Sequence, residues 1–514
     1  MNYAELFRVM LPETALEVAA LLVLVVDLGF LRKSTLRVRT AVAAVLGVFG
    51  CGAAVFTLVF QIGVGLTYPG GGDQVLASGG STAVAQVGIL ALTVLTLLLL
   101  IDSDFTRHVG EFVAVVLMAA TGGIVIAAAQ DLLVIFIGLE LLSLGLYVLT
   151  AFAKKSAKSA EAAIKYYLFG GMSAAFLLFG FSYLYGLTGS TNLHQMMLGL
   201  YTTNAVHAAP LLYVSLVMIA AGLGFKVAAA PFHLWAPDTY EGAPAPGAAF
   251  IASVSKVASF ALLISITAAA WHLFDGMHLR VAVRVGFHPQ PEHVYLGFRV
   301  AWMELLMVLA GVSMVLGNLA ALAQSSVRRL LAYSAVAHAG YILLGLAFFS
   351  YSTRSEQAVL YYVLTYGLTT VGAFGAVGVV ERATGSDRME AFLGLHKRNP
   401  LLAAVMLVLF LSLAGIPPLV GFWAKFNLFA AVLGVYPIGA GLGLVILAIA
   451  MSAVSLYYYL QVLKRVYVMP AADEAHIAIH PVVTAVLVVV AAAVVLLGCF
   501  PSLLQDWIAA FYPV

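Results

Sequence analysis

Long apolar runs recur along the whole chain, and short polar segments separate them. Most runs reach about 18 residues or more, which is long enough for a helix to cross the hydrocarbon core of a bilayer. Only 9% of the 514 residues are charged, against roughly 25% in soluble domains. The runs predict an all-α polytopic membrane protein with about fourteen transmembrane helices. We expect these spans near residues 14–32, 41–61, 82–101, 111–129, 131–152, 162–187, 211–230, 245–270, 301–323, 329–349, 358–380, 400–434, 440–463 and 482–500.

The distribution of positive charge between the loops predicts the orientation of the chain. Sixteen of the 25 Lys and Arg residues lie in one set of alternate loops, and five lie on the opposite side. Because Lys and Arg are enriched in cytoplasmic loops, both termini are expected on the outer face of a bacterial inner (plasma) membrane. The remaining four, Lys165, Lys226, Lys256 and Lys425, fall within predicted spans.

Composition and motifs exclude several kinds of site. The net charge of +2 gives no sign of a nucleic-acid partner, and there is no phosphate loop or dinucleotide fingerprint. Two cysteines, Cys51 and Cys499, are too few for an iron–sulfur cluster, and both are expected to be free thiols in the core. A polar insertion gathers His278, His288 and His293, where a solvated loop or a protein contact is favoured over a metal site. The chain itself is therefore expected to hold no cofactor and no metal.

The predicted spans divide the chain into five segments. A three-helix segment (1–110) is followed by a first repeat of five helices (111–272), an outer-face loop or hairpin (273–300), a second repeat (301–468) and a C-terminal helix (469–514). Because each repeat has an odd number of helices, the second is expected to be inverted relative to the first, as in many transporters. Alternating apolar and polar residues in the loop favour a β-hairpin.

Each repeat is expected to contain a helix that is interrupted within the membrane. Pro231 follows the apolar run that carries Lys226, and a proline removes one helix hydrogen bond and clashes with the preceding turn. In the second repeat, the sequence GIPP at 415–418 precedes Lys425. Helices 7 and 12 are therefore predicted to be discontinuous.

Ionisable residues inside the predicted spans are the candidates for function. A lysine at the centre of a bilayer costs roughly 2.5–3.5 kcal/mol, so Lys226, Lys256 and Lys425 need a reason to be there. Glu140 lies about ten residues into the fifth span, where an unpaired carboxylate would also be costly. Lys226 is its expected partner, either in a proton-holding switch or in a static structural pair.

Several other ionisable residues leave two interpretations open. Lys165 lies near one end of its span, so it either joins a proton relay or extends its ammonium group to the inner surface. His338 is either a hydrogen-bonded core residue or a relay group, since imidazole exchanges protons near neutral pH. Asp238 and Glu241, which follow the first break, are expected to be solvated loop carboxylates. Asp27, near the end of the first span, is expected to pack against a neighbouring subunit.

The chain also contains four segments that resemble a known family. These segments are FKVAAAPFHLWAPDTYEGAPAP, ASVSKVASF, RRLLAYSAVAHAGY and LSLAGIPPLVGFWAKF. They are similar to segments of the antiporter-like membrane subunits of proton-pumping NADH-quinone oxidoreductase, respiratory complex I, and most similar to its N-type subunit. The resemblance covers roughly residues 100–470. It implies fourteen helices with two inverted five-helix repeats and broken helices 7 and 12.

The resemblance further implies a translocase subunit that moves protons through a row of buried side chains and is driven by quinone reduction elsewhere in the complex. NADH, flavin, iron–sulfur clusters and quinone are expected in other subunits, and the implied partners are other membrane subunits, protons with ordered water, and the lipid bilayer. By motif, the implied relay residues are Glu140, Lys226, Lys256 and Lys425, with Lys165 and His338 in recognisable motifs.

Two alternative functions remain open. One is a cation/proton antiporter subunit of an Mrp-like or hydrogenase-like assembly, which would exchange ions without quinone chemistry. The other is a non-pumping structural subunit whose lysines only neutralise internal carboxylates. The scarcity of buried acids argues against the second, since the sequence places four lysines within spans and one clearly buried glutamate, Glu140.

Overall fold

Helices form nearly all the regular structure of the chain. The computed structural model describes residues 3–63, 74–202, 205–272, 294–349, 353–434, 438–471 and 475–512. In these ranges the only β-structure consists of three isolated bridges between loops. The α-helices are α1 (Tyr3–Val9), α2 (Leu11–Val25), α3 (Leu36–Gly63), α4 (Gly80–Leu99), α5 (Val109–Ala128), α6 (Leu132–Thr150), α7 (Ala157–Thr188), α8 (Leu193–Thr202), α9 (Ala205–Lys226), α10 (Trp235–Gly242), α11 (Ala245–His272), α12 (Val294–Leu322), α13 (Val327–Ala347), α14 (Thr353–Thr384), α15 (Leu395–Arg398), α16 (Pro400–Ala414), α17 (Val420–Leu433), α18 (Ile438–Tyr467), α19 (Pro481–Cys499) and α20 (Ser502–Ala509).

Twelve of the described helices are long and apolar enough to cross a membrane, which confirms the predicted class of all-α polytopic membrane protein. The first predicted span coincides with α2 and a π-helical turn, Val26–Phe30. The twelfth coincides with the two shorter apolar helices α16 and α17. Because α2 has only 15 residues and the twelfth span is divided between two short helices, the total of fourteen remains a prediction, as does the inversion of the two repeats. The twelve are α3, α4, α5, α6, α7, α9, α11, α12, α13, α14, α18 and α19.

The most enclosed helices are α11 and α13. In each, 94% of the residues in the apolar window are buried, against 28% in α18. Helices in lipid associate chiefly through close packing, and small residues allow it. At Gly340 of α13, an added Cβ would lie 2.8 Å from the backbone oxygen of Ala310 on α12. Polar side chains on α11 and α13 are therefore shielded from lipid.

Both predicted helix breaks are confirmed. The first separates α9 from α10, and within it Ala228 adopts a left-handed backbone conformation with φ of 57°. The second separates α16 from α17 and begins at Gly415, with φ of 87°. Each break frees the last carbonyl groups of the preceding helix from their intrahelical hydrogen bonds.

The prediction of a β-hairpin is wrong for the second of its two strands. Its apolar segment continues into helix α12, which begins at Val294, because the adjoining span extends the helical hydrogen bonding in the N-terminal direction. Residues 273–293, with His278, His288 and His293, lie outside the described residues.

The expectation that Asp27 contacts a neighbouring subunit is also wrong. Asp27 is 1% exposed and accepts hydrogen bonds of 2.7 and 2.6 Å from Arg39, which α3 brings back alongside the first span. The backbone N–H of Gly110 completes its coordination at 3.2 Å. Of the two free cysteines, Cys51 is buried as expected, whereas Cys499 is exposed at the end of α19.

Candidate functional site

Lys226 lies at the end of α9, where the first break begins. Its side chain is buried, and its ammonium group donates a hydrogen bond to the hydroxyl of Ser143 on α6. Glu140, one turn before Ser143, is half-buried and acts electrostatically on Lys226. In the part of the chain that the structure describes, Glu140 forms no ion pair within 4.0 Å. The predicted direct pair is therefore not formed, because a neutral hydroxyl occupies the position beside the ammonium group.

Lys256 lies midway along α11 and is 2% exposed. Its ammonium group donates hydrogen bonds to two backbone carbonyls, Val227 at 2.8 Å and Ala335 at 2.9 Å. The Val227 carbonyl is available because α9 has just ended. The C-terminal end of a helix carries partial negative charge, so the backbone complements the charge of the ammonium group without a carboxylate.

Lys425 lies on α17 and folds back toward the second break. Its ammonium group donates to the carbonyls of Leu413 (3.3 Å) and Ala414 (2.9 Å), the last residues of α16. It also donates to the hydroxyl of Ser452 on α18 at 2.7 Å. The Nζ atom stands 5.3 Å from the centre of the Tyr341 ring, which adds a cation–π contact. Lys425 thus neutralises the carbonyl end of its own broken helix.

His338 lies on α13 between the two lysine sites. Its Nδ1 is 2.9 Å from the hydroxyl of Tyr362 on α14, and the carbonyl of Leu413 acts electrostatically on the ring. Both Lys256 and Lys425 are close enough to act electrostatically on this ring. His338 is therefore coupled to the lysine on either side.

A small cavity of about 10 Å³ adjoins His338. That is room for about one water molecule. Its wall includes the hydroxyl-bearing residues Thr365 and Thr369 of α14 and Ser412 of α16. Water in this cavity would touch the imidazole and the hydroxyls together.

The four buried basic groups form a continuous row because neighbouring backbone segments connect consecutive members. Val227 directly follows Lys226 in the chain, and its carbonyl accepts a hydrogen bond from Lys256. Lys256 also binds α13 one turn before His338, and the Leu413 carbonyl that Lys425 binds also acts electrostatically on His338. None of the three lysines in the row forms an ion pair with a carboxylate within the described ranges.

Lys165 lies outside this row. Its side chain is 41% exposed and forms ion pairs with Glu161 (2.7 Å) and Asp238 (2.8 Å). Arg329 contacts Asp238 at 2.6 Å and Glu241 at 3.0 Å. These contacts match the alternative in which the ammonium group extends to the surface, while a relay role for Lys165 stays a prediction.

Asp238 and Glu241 are not loop carboxylates, because they lie on the short helix α10 and are held in this cluster. Burial alone would raise the pKa of Asp238, but hydrogen bonds from Lys165 and Arg329 outweigh it and hold the pKa below its ordinary value. The pKa of Glu241 is lowered in the same way by Arg329 and Lys158. The sequence did not reveal this cluster, since its members come from separate helices.

Sequence reasoning missed two kinds of group. Ser143 and Ser452 hold lysines of the row, and only Ser143 carries a sequence signal, since it follows Glu140 by one helical turn. The premise of one clearly buried acid was also wrong, since Glu140 is only half-buried whereas other acids are buried: Glu13, Asp27, Glu356 and Asp387. Over the described residues, no group of three or more His, Cys, Asp or Glu side chains is placed to hold a metal ion.

The family model for the transmembrane part of NADH:quinone oxidoreductases and Mrp antiporters matches residues 129–282 and 292–456. The chain belongs to this NADH:quinone oxidoreductase/Mrp antiporter family. It is 47% identical to NADH-quinone oxidoreductase subunit N 2 of Acidobacterium capsulatum over 99% of each chain. These matches confirm the resemblance that the four segments indicated.

Two solved structures show the same fold. A chain of respiratory complex I from Thermus thermophilus superposes with a TM-score of 0.74 at 32% identity, covering 96% of this chain and 98% of that one. A chain of the Mrp complex from Dietzia sp. DQ12-45-1b gives a TM-score of 0.78 at 20% identity, with 99% and 97% covered. The second likeness shows the fold alone.

Proposed function

We propose that the chain is a proton-translocating membrane subunit of an NADH-quinone oxidoreductase. The observation that carries this proposal is the continuous row Lys226, Lys256, His338 and Lys425, buried and without carboxylate partners in the described ranges. A structural role predicts lysines that neutralise acids, whereas these lysines contact neutral carbonyls and hydroxyls. The likeness to a subunit N of NADH-quinone oxidoreductase supports the assignment to that complex over an independent antiporter.

The hydrogen bonding of Lys256 suits a group that gains and loses a proton. An ammonium group has three N–H donors, and a neutral amine keeps two donors and gains a lone pair. Lys256 has two carbonyl acceptors, so both stay hydrogen-bonded after its proton leaves. The lone pair can then accept the next proton without rearrangement of the helices.

Charge coupling between neighbours would drive protons along the row. Two ammonium groups roughly 10 Å apart repel by about 1.7 kcal/mol at an effective dielectric near 20. A proton that reaches Lys256 therefore weakens proton binding at its neighbours, and His338 responds to both Lys256 and Lys425. Glu140, which acts on Lys226 without touching it, sets the charge balance at the start of the row.

The driving force would come from outside the chain. Each charge moved against the membrane potential costs about 2.3 kcal/mol per 100 mV, which exceeds one pairwise coupling. We assign NADH, flavin, iron–sulfur clusters and quinone to other subunits, whose redox chemistry would change the charge near Glu140. Neighbouring membrane subunits, ordered water and lipid are the partners that this mechanism requires.

Substitution of Lys256 by methionine tests the function. In membranes that contain the assembled complex, Lys256→Met should lower quinone-coupled proton pumping by about 100-fold, a typical contribution of a positioned proton-transfer group. The matched control is Lys464→Met, an exposed lysine at the end of α18, which should pump as wild type does. Wild-type pumping by an assembled Lys256→Met complex would leave only a structural role. Proton transport that requires Na⁺ and proceeds without quinone would favour the antiporter.

The orientation of the chain is also a proposal and rests on the distribution of Lys and Arg. Both termini are assigned to the outer face of the bacterial inner membrane, and the loop that contains Lys154 and Lys155 to the inner face. Cysteine introduced at Lys155 should resist a membrane-impermeant thiol reagent in intact cells and react in inverted vesicles. Ready reaction in intact cells would reverse the orientation.

A further inference from the structure

A buried side-chain amide joins three of the membrane helices. Asn318 on α12 is fully buried. Its amide nitrogen donates hydrogen bonds to the backbone carbonyl of Met314 at 2.7 Å and to the hydroxyl of Tyr341 on α13 at 3.1 Å. Its amide oxygen accepts a hydrogen bond of 3.1 Å from the hydroxyl of Tyr458 on α18. The amide therefore connects α12 to both α13 and α18.

The orientation of this amide is fixed by its partners. A backbone carbonyl can only accept a hydrogen bond, so the atom beside the Met314 carbonyl is the amide nitrogen. The NH₂ group has two N–H donors; one points to Met314 and the other to the oxygen of Tyr341. The amide oxygen can only accept, so Tyr458 is the donor in the third bond. A turn of the amide by 180° would lose the bond to Met314.

Close backbone packing keeps Asn318 and Tyr341 in register. The residue before each of them is a glycine, and both glycines lie where α12 and α13 touch. A Cβ added to Gly317 would lie 2.5 Å from the backbone nitrogen of Ala337, and one added to Gly340 would lie 2.7 Å from a backbone nitrogen of α12. Small residues allow membrane helices to approach this closely. The two helices therefore hold the amide and the tyrosine at a set distance.

The ring of Tyr341 contacts the last two members of the row. The Nζ atom of Lys425 stands 5.3 Å from the centre of the ring. The ring of His338 lies 5.7 Å from it, centre to centre, at an angle of 88°. An ammonium group over the face of an aromatic ring is attracted to it, and more strongly away from water. Tyr341 and Lys425 are both buried, so the position of this ring affects how firmly the ammonium group is held.

The hydrogen bond from Asn318 acts at the far end of the Tyr341 side chain. Rotamer preferences restrict the second side-chain torsion of tyrosine only broadly. A bond to the hydroxyl therefore sets the direction of the ring in a way that the backbone of α13 does not. Because Asn318 itself is fixed by Met314, the ring is held in one orientation relative to Lys425.

We propose that Asn318 is a positioning residue for Lys425, because it holds the Tyr341 ring where the face of the ring stabilises the ammonium group at the end of the row. This inference rests on the proposed proton-translocating function, in which Lys425 gains and loses a proton. Asn318 acts through the ring and carries no proton itself. Without its hydrogen bond the ring can turn, and Lys425 holds its proton less firmly.

The two tyrosines that bind the same amide provide a matched pair of variants. Tyr341→Phe should lower quinone-coupled proton pumping several-fold in the assembled complex, because the ring loses its hydrogen bond to Asn318. Tyr458→Phe also removes one hydroxyl from the amide, but Asn318 remains bound to Met314 and Tyr341. It should therefore pump as wild type does, although both variants should unfold at a lower temperature. Equal losses of pumping in the two variants would indicate a purely structural amide and would overturn the proposal.

Asn318→Leu tests the amide directly, since leucine has a similar size and no hydrogen-bonding group. Its loss of pumping should match that of Tyr341→Phe. The variant that combines both changes should lose no more than either change alone, because both remove the same hydrogen bond. Losses that multiply in the combined variant would show that Asn318 does not act through Tyr341.

Thermal unfolding of the complex in detergent tests the contact without relying on pumping. Tyr341→Leu and Lys425→Met both remove the contact between the ring and the ammonium group, so their combined effect on the unfolding temperature should be smaller than the sum of the single effects. This shortfall should decrease in an Asn318→Leu background, where the ring is no longer held. Simple addition of the effects while Asn318 is present would show that the ring does not hold the ammonium group, and the proposal would fail.

The failure of this inference is distinguishable from the failure of the proposed function. If Lys256→Met lowers pumping while Asn318→Leu pumps as wild type does, the role of Asn318 is wrong and the proposed function stands. If Lys256→Met pumps normally, the proposed function itself fails, whatever the unfolding temperatures show for Tyr341 and Lys425.

Discussion

The two helix breaks use the same chemistry with different lysines. At the second break, Lys425 folds back from α17 and binds the terminal carbonyls of α16, so the broken helix neutralises itself. At the first break, the lysine of the broken helix, Lys226, binds Ser143 of a neighbouring helix. The Val227 carbonyl is bound instead by Lys256 of α11. A carbonyl end therefore meets an ammonium group in both repeats.

This difference explains the order of the row. At the first break, the Val227 carbonyl binds Lys256 of the next span. This contact connects Lys226 to Lys256, which in turn contacts α13. Because the second break binds its own lysine, it closes the row at Lys425. At each break, one ammonium group binds a carbonyl that the break leaves free, since neutral dipoles at a helix end stabilise a positive charge without trapping it in an ion pair.

The largest effect on stability is expected when the two lysines of the broken helices are replaced one at a time and the two single variants are compared. Lys425→Met leaves the carbonyls of Leu413 and Ala414 without this partner, which should cost roughly 1–3 kcal/mol. Lys226→Met should cost about 1 kcal/mol or less, because the Ser143 hydroxyl still donates to the Leu139 carbonyl. Thermal unfolding of the complex in detergent measures the difference. Equal losses would contradict the view that carbonyl neutralisation distinguishes the second break.

A glycine at the second break allows a finer test. Gly415 has a positive φ, and an added Cβ would stand 3.1 Å from the Nζ of Lys425. Gly415→Ala should cost about 1–2 kcal/mol in backbone strain and, by displacing the ammonium group, lower pumping several-fold.

The matched control is Gly385→Ala, because Gly385 has a similar φ of 71° and nothing within 4 Å of an added Cβ. It should show the strain cost with normal pumping. Equal pumping by the two variants would show that contact with Gly415 does not position Lys425.

The smallest effect is expected at the cluster around Lys165, where carboxylates replace carbonyls. Asp238→Asn should lower stability at neutral pH by at most about 1 kcal/mol, since partly exposed ion pairs contribute little. The pKa of Asp238 is lowered in the folded state, so its contribution is present above the unfolded value near 3.9 and is lost as pH falls through the folded value.

Thermal unfolding measured from neutral to acidic pH checks this sign, with exposed Asp104→Asn as the control. The difference between Asp238→Asn and wild type should shrink as the pH falls below about 3.9. A difference that grew on acidification would mean that the cluster does not hold the carboxylate in its charged form.

The sequence by itself determined the membrane class, the two helix breaks and the identity of the buried basic residues. Apolar runs of bilayer length must form helices, because a helix satisfies all backbone hydrogen bonds within one segment of the chain. Pro231 and the GIPP segment interrupt these helices by local geometry. Lys226, Lys256, Lys425 and His338 stood out because a charge or polar ring inside an apolar run is expensive wherever the helix is placed.

Tertiary structure alone decided what each of these residues touches. A backbone carbonyl has no signature in sequence, so the partners of Lys256 and Lys425 became visible only when the breaks were placed against α11 and α17. Glu140 and Lys226 were natural partners by charge, yet the packing of α6 against α9 presents Ser143 to the ammonium group instead. Lys165 looked like a member of the row by residue type, but its position at a partly exposed helix end gave it Glu161 and Asp238 as partners. Residue identity fixes the cost of burying a charge, whereas the distances between helices decide which group stabilises it.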